Sequence, residues 1–454
     1  MARPSIVVAA LAVALTGGAR AQDAALLGLL EQATAVSPEV AQARAAVEAE
    51  RARIPQEGAL PDPSLTLGIQ NDGFKRIEIG TMGTSFFNIM VHQPFYWPGK
   101  RGLREEVATL EARRAGAHLA RVELDLEGRV SRGYLGMLLA RGQVELLTEQ
   151  ESLWKQAEQT ARARYESGQV PQSDLLRARL ERARLRQRRW ALETEVAVRL
   201  AELNRLRNRS LTEGVPTTAR LATMSDPALL SEAAADQDAQ ARSPELLLSS
   251  LGVEQAGRRL ELALRERWPD FSVTAAVMPR GSLEPMWQLG VTVGLPIFAG
   301  SKQNRAVDEN EQRRIGETQG SEALRQVLRL RTSQRLATLA ALNRTSEEYR
   351  EQILALSLET ARGTLSQYEA GRTPLAAVLE AFSGYVIDEA SFLASVADAQ
   401  LVAIAQREVS LDPVPSISGG AAGVMPGGGA PAEPAAAKGM GSGGGVKDSG
   451  PGGM

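Results

Sequence analysis

The run Phe87-Asn88-Ile89-Met90-Val91-His92-Gln93-Pro94-Phe95-Tyr96-Trp97-Pro98-Gly99-Lys100 decides the fold, because it passes from one kind of backbone to another. Phe87, Ile89 and Val91 alternate with Asn88, Met90 and His92. Period-2 alternation marks a strand with one apolar and one polar face. Beyond the Pro-Gly-Lys break, Leu103 to Ser167 holds 65 residues without a proline. A helix of that length reaches roughly 100 Å at 1.5 Å per residue, longer than a compact domain. A strand feeding such a helix describes a rod with a small sheet at one end.

Working outward, the same layout occurs twice. Leu65, Leu67 and Ile69 alternate with Ser64, Thr66 and Gln70. In the second half, Val273, Ala275 and Val277 form one alternating run. Trp287, Leu289, Val291, Val293 and Leu295, set between Gln288, Gly290, Thr292 and Gly294, form another. Each half thus predicts a hairpin of two strands. Gln303 to Glu369 is a second proline-free stretch, of 67 residues. Ser37-Pro38-Glu39 recurs as Ser243-Pro244-Glu245, and Pro61-Asp62 as Pro269-Asp270. Pro94 to Lys100 recurs loosely as Pro296 to Lys302, and Tyr165-Glu166-Ser167-Gly168 as Tyr368-Glu369-Ala370-Gly371. The offsets are 206, 208, 202 and 203. Four ordered matches at a near-constant spacing predict a tandem duplication, with a unit too long for a small solenoid.

The Ser-Pro-Glu signatures open helices near 38–54 and 244–267: Ser caps, Pro fits the first turn and Glu suits the dipole. Gly168 and Gly371 end the long helices, and Pro171 and Pro374 restart return helices near 172–208 and 375–410. The expected division is a signal peptide at 1–21, a first repeat at 22–208, a linker at 209–225, a second repeat at 226–412 and a tail at 413–454. Arg3, the apolar run Ile6–Leu15 and the small-residue site Ala19-Arg20-Ala21 carry the signal. No Cys follows the apolar run, so an N-terminal lipid anchor is not expected. The Gly-, Ala- and Pro-rich composition of the tail predicts disorder.

Composition removes whole classes of function. Fifty-two basic and 54 acidic residues leave a net charge of −2, without the basic excess of a nucleic-acid binder. There are no cysteines and two histidines, His92 and His118, which excludes thiolate chemistry and disfavours a His-built zinc site. After the N-terminus no apolar run is long enough for a membrane-spanning helix. No nucleophile–base pair or phosphate loop is present, so an enzyme is not expected, nor is a cofactor.

Four strands with one apolar face cannot close a barrel alone, and open edges in lipid would leave backbone groups unpaired at several kcal/mol each. Oligomers close the sheet: two copies would give eight strands, whose side chains nearly fill the interior. Three copies would give twelve strands enclosing roughly 24 Å, room for a water-filled lumen. Thr66, Gln70, Asn88, His92, Gln288 and Thr292 suit its lining. Trp97 and Trp287 suit a membrane–water boundary, and Trp268 either that or a packed core. A soluble sheet packed on the helices is the alternative; it goes with a periplasmic helical scaffold or adaptor, water-soluble when mature.

Leu60-Pro61-Asp62-Pro63-Ser64-Leu65, Gln93 to Arg101, Val293 to Gly300 and the two Tyr-x-x-Gly turns resemble the TolC-type outer-membrane efflux family. The resemblance covers about 23–412. It implies a homotrimer with a 12-stranded transmembrane β-barrel joined to a periplasmic α-helical tunnel. It also implies docking on a periplasmic adaptor and an inner-membrane pump of RND type, and no catalytic chemistry. By motif position Asp174 and Glu380 would form acidic rings at the closed periplasmic constriction, where Ala377 stands at a position often Asp in the family. A solvated helix surface is the alternative role for these acids. The turns Gly168-Gln169-Val170 and Gly371-Arg372-Thr373 would be the adaptor-docking tips. The stretch from Thr81-Met82 to Lys100 resembles the heavy-metal-export branch more than the drug-export branch. Drug or protein export is the competing reading. Met425, Met440 and Met454 offer thioether sulfur suited to Cu(I), though isolated methionines in such a tail are a weak signal.

Overall fold

The computed structural model describes residues 24–413; the signal segment and the tail beyond 413 lie outside the described residues. The first half runs α1 (Ala24–Val36), α2 (Pro38–Glu57), β1 (Ser64–Gln70), β2 (Phe86–Phe95), α3 (Lys100–Glu166) and α4 (Gln172–Leu206). The second runs α5 (Glu232–Arg242), α6 (Pro244–Arg265), β3 (Phe271–Arg280), β4 (Leu283–Val293), α7 (Gln303–Glu348), α8 (Leu354–Glu369) and α9 (Leu375–Arg407). The second half repeats the order of the first, with α7 and α8 together standing where α3 stands. No described helix is long and apolar enough to cross a membrane.

Local chemistry accounts for the boundaries. Ser37 and Ser243 accept from the N–H groups of Val40 and Leu246, closing the first turns of α2 and α6. Pro55 sits inside α2, which runs to Glu57 rather than stopping near residue 54. Gly99 (φ 92°) adopts the left-handed conformation before Lys100, so α3 starts three residues earlier than the proline-free count suggested. The second long helix is not uniform: a π turn over Tyr349–Ile353 separates α7 from α8. β4 ends at Val293 rather than Leu295: the Gly294 N–H still reaches the in-register Asp270 carbonyl (3.0 Å), but Pro296 has no N–H to carry the ladder on.

The segment expected to link the repeats, 209–225, is anchored to the helices. Val215 and Leu221 are buried, and both pack into hydrophobic clusters with the long helices. The short helix α5, capped by Ser231 donating no bond but accepting from Ala234 N–H, precedes α6 as α1 precedes α2.

Helices α2 and α4 pack along α3, and α6 and α9 along α7. Far from the sheet, Trp154, Tyr368, Leu375, Val378 and Phe382 form an apolar cluster. At mid-length, Leu126, Val130, Tyr134 and Leu203 form a second. The C-terminal end of α9 is held by arginines from three other helices. Arg121 reaches the Glu408 carbonyl (2.9 Å), Arg242 the Arg407 carbonyl (3.0 Å) and Arg331 the Leu411 carbonyl (3.0 Å), and Arg335 bonds Ser410.

Glu389 on α9 supplies a pH handle. Burial pushes its carboxyl above the usual range, the Tyr385 hydroxyl pulls it down, and Glu149 pushes it up again. Tyr385 is itself pushed up to about 12, chiefly by burial, and stays protonated at neutral pH. A carboxyl raised in the folded state favours folding below its unfolded value of about 4.3 and loses that contribution as pH rises through the folded value. Glu389→Gln is therefore expected to raise the thermal midpoint at pH 7 and leave it nearly unchanged at pH 4; midpoints from circular dichroism at both pH values check this.

Candidate functional site

The four strands form one antiparallel sheet in the order β1-β2-β3-β4. Paired residues in such a sheet point to the same side. Leu67 pairs with Ile89, Ile89 with Val277 and Val277 with Trp287. Leu65, Val91, Ala275 and Leu289 make the next row. One side of the sheet is thus apolar across all four strands, and these side chains are exposed: Leu67 at 69%, Leu289 at 67% and Trp287 at 78%.

The six expected lumen residues share the other side. Thr66 pairs with Met90, Gln70 with Phe86, Asn88 with Gly68, His92 with Ser64, Gln288 with Ala276 and Thr292 with Ser272. His92 Nδ1 lies 3.1 Å from the Thr274 hydroxyl of the neighbouring strand. Met90, Met278 and Met286 occupy this side as well, so it is mixed rather than uniformly polar.

Between β1 and β2, Asn71 closes the loop: its amide donates to the Gly73 and Arg76 carbonyls (2.7 and 2.8 Å), and its oxygen accepts from Glu78 N–H (2.7 Å). The loop meets the β3–β4 turn where Ser282 donates to the Gly80 carbonyl (2.7 Å). A Cβ on Gly281 (φ 64°) would lie 2.9 Å from the Gly80 Cα, so both glycines are required there.

Where the sheet meets the helices, the Pro-Asp and Pro-Gly-Lys motifs come together. Lys100 is buried, and its ammonium donates to the Trp268 carbonyl (2.7 Å) and Asp270 Oδ1 (2.9 Å). The same Asp270 oxygen accepts from Trp97 N–H (2.8 Å). Trp97 stacks on Trp268 with centroids 5.3 Å apart, and Phe95 on Phe271 at 5.4 Å. The Arg104 guanidinium covers the Tyr96 ring at 4.1 Å. Trp97 and Trp268 thus form one stacked pair at this joint.

At the other end of the long helices the two turns are near copies. Gly168 (φ 74°) and Gly371 (φ 75°) are left-handed. Gln169 N–H returns to the Arg164 carbonyl and Arg372 N–H to the Gln367 carbonyl, both at 2.8 Å. Val170 and Thr373 are half-buried, while Gln169 and Arg372 are exposed. Arg164 joins the turns, donating to the Tyr368 carbonyl (2.7 Å) and lying over the Tyr368 ring (4.9 Å). Asp174, in the first turn of α4, is half-buried; with burial the larger cause, its charge helps push the Tyr368 hydroxyl up. Glu380 is exposed on α9. The two acids share no hydrogen bond or ion pair within one chain. Arg164 and the Lys100–Asp270 pair were not singled out from the sequence, although the recurrence of Pro-Asp and of the lysine at 100 and 302 was a signal for the latter. Among the described residues no group of three His, Asp or Glu side chains is arranged to hold a metal.

The chain thus mounts a four-stranded sheet, apolar on one side and mixed on the other, on one end of long paired helices. Residues 29–209 match the outer membrane efflux protein family. The chain superposes on a membrane protein from Pseudomonas aeruginosa with a TM-score of 0.74, at 16% identity over 86% of this chain and 93% of that one. CusC, described by its channel formation, gives a TM-score of 0.72 at 18% identity over 86% and 92%. The open state of the Neisseria gonorrhoeae MtrE outer membrane channel gives 0.69 at 17% identity over 85% and 89%. No curated protein matches in sequence. The first repeat thus carries the match to the outer membrane efflux protein family, and along most of its length the chain has the fold of these solved outer-membrane channels.

Proposed function

We propose that three copies close their sheets edge to edge into one 12-stranded barrel in the outer membrane, with their helices continuing as a periplasmic tunnel. The observation that carries this is the sheet register. It supports an apolar side turned to lipid and a mixed side, with Thr66, Gln70, Asn88, His92, Gln288 and Thr292, lining the lumen. Strand order β1-β2-β3-β4 leaves β1 and β4 as free edges running in opposite directions, so β4 of one copy meets β1 of the next antiparallel. The duct passes substrates passively from a periplasmic adaptor and an RND-type inner-membrane pump. Gly168-Gln169-Val170 and Gly371-Arg372-Thr373 dock the adaptor. The substrates are heavy-metal cations, a reading supported by the branch resemblance of residues 81–100. The mature chain follows removal of residues 1–21, and the two repeats act as two pseudo-equivalent units of a sixfold wall.

Asp174 and Glu380 are placed as acidic rings at the tunnel's narrow end, where negative side chains attract cations and repel anions. Purified protein in detergent is expected to scatter light as a trimer and to add cation-preferring conductance to a planar bilayer. Asp174→Asn with Glu380→Gln should reduce the cation-to-anion permeability ratio several-fold while leaving the trimer intact. A monomer without conductance would remove the duct, and unchanged selectivity in the pair would remove these acids from the constriction. A deletion strain sensitised to drugs but not to metal salts would reassign the substrate.

A further inference from the structure

The joint between sheet and helices exists twice in the sequence but is complete once in the single chain. After β2, Lys100 is buried against Asp270, which precedes β3, the strand beside β2. The duplication places Lys302 at the position of Lys100 and Asp62 at that of Asp270. Lys302 caps α7 just after β4, and Asp62 lies just before β1. These strands are the two free edges of the sheet. Three strand spacings, about 14 Å, separate them, so the two side chains of one chain lie at opposite edges. Both are exposed, and neither has a hydrogen-bond or ion-pair partner among the described residues, whereas the Lys100 side chain is 3% exposed.

The apolar residues around the open joint tell the same story. Ile297 and Phe298 stand where Phe95 and Tyr96 stand in the first joint, yet they are 76% and 70% exposed. Phe95 is covered by Phe271 and Tyr96 by Arg104. Leu60, the counterpart of Trp268, is 43% exposed.

We infer that Lys302 of one copy is held by Asp62 of the next, completing between chains the joint that Lys100 and Asp270 complete within one. The occupant of this edge is a second copy of the chain, because the closed joint supplies the template and only a second copy brings a β1 edge against β4. The pair carries the Lys–Asp identity of the template. The aromatic stacks are replaced by smaller counterparts, Ala299 for Trp97 and Pro63 for Phe271. Apolar cover in the second joint therefore comes from Leu60, Ile297 and Phe298. The inference rests on the trimer reading and adds the contact that registers one copy on the next.

The chain has no cysteine, so Asp62→Cys with Lys302→Cys creates the only two thiols in the full-length protein. A short bismaleimide added to native membranes is expected to give covalent dimer and trimer bands that neither single-Cys variant gives. Separately, Lys302→Glu should speed dissociation of the trimer by on the order of tenfold or more, and adding Asp62→Lys to the same chain should restore it. A trimer by light scattering without cross-links above the single-Cys controls, or with dissociation unmoved by Lys302→Glu, overturns this pairing and leaves the trimer standing. A monomer by light scattering overturns both.

Discussion

Gly128→Ala is expected to lower the free energy of unfolding by about 2–4 kcal/mol, combining overpacking with the loss of a buried ion pair. A Cβ at position 128 would lie 0.9 Å from Glu408 Oε1. That oxygen belongs to the end of a side chain, which elsewhere could swing aside. Here Glu408 is buried, and its other oxygen accepts from Arg132 at 2.5 Å. Its own carbonyl is held by Arg121, which also bonds Glu245 at 3.1 Å. The carboxyl is already pushed up by burial and held down chiefly by Arg132. Moving it away from Arg132 removes what keeps it charged. The clash is specific to one side chain, so it should be relieved by removing that side chain. Glu408→Ala added to Gly128→Ala should recover most of the loss, giving a coupling of opposite sign to the single effects. Urea midpoints of the four proteins of the cycle, at constant slope, measure it. Additive losses would mean that Gly128 matters for helix backbone freedom rather than for seating Glu408.

How much of this was legible in the sequence depends on the range of the interaction. The four strands were readable because alternation is local and the sheet keeps it: a one-residue slip of β2 would exchange Ile89 for Met90 on the apolar side. The twin turns were readable because Gly and Pro impose backbone geometry by themselves. The short helix α5 was missed because its apolar positions are alanines, Ala235 and Ala239 being the buried ones, which carry almost no periodic signal. The packed role of Val215 and Leu221 was missed for a related reason, since isolated apolar residues in an irregular segment have no period to detect. The π turn at 349–353 has no composition cue either. The ties between distant segments, Arg164 to Tyr368 and Lys100 to Asp270, depend on which helices lie side by side. For the second of these the duplication held a clue: Pro-Asp and the lysine were kept in both halves, although the stacked rings of Phe95, Trp97, Trp268 and Phe271 were not.

That Lys–Asp tie gives the other large expected effect. Asp270→Ala should cost about 2–3 kcal/mol, below the about 3–5 kcal/mol of a fully buried pair because Asp270 is 46% exposed while Lys100 is 3% exposed. The mutation strands the Lys100 ammonium with one acceptor, the Trp268 carbonyl, and leaves Trp97 N–H without one. Asp270→Asn keeps an oxygen for both donors and loses only the charge, so its cost should be smaller, about 1 kcal/mol. Lys100→Met removes the buried charge itself, and the long apolar stem retains its packing. Combined with Asp270→Ala it should be less damaging than Asp270→Ala alone, because an unpaired buried charge costs more than an absent pair. If the tie instead acts through the Trp97–Trp268 stack, all of these variants would be nearly silent and Trp268→Ala would carry the loss. Denaturation midpoints together with the yield of assembled protein in the outer membrane separate the two. The second readout matters because the tie links the end of β2 to the start of β3, and in the proposed trimer a loosened joint would misplace the strand edges that pair between copies.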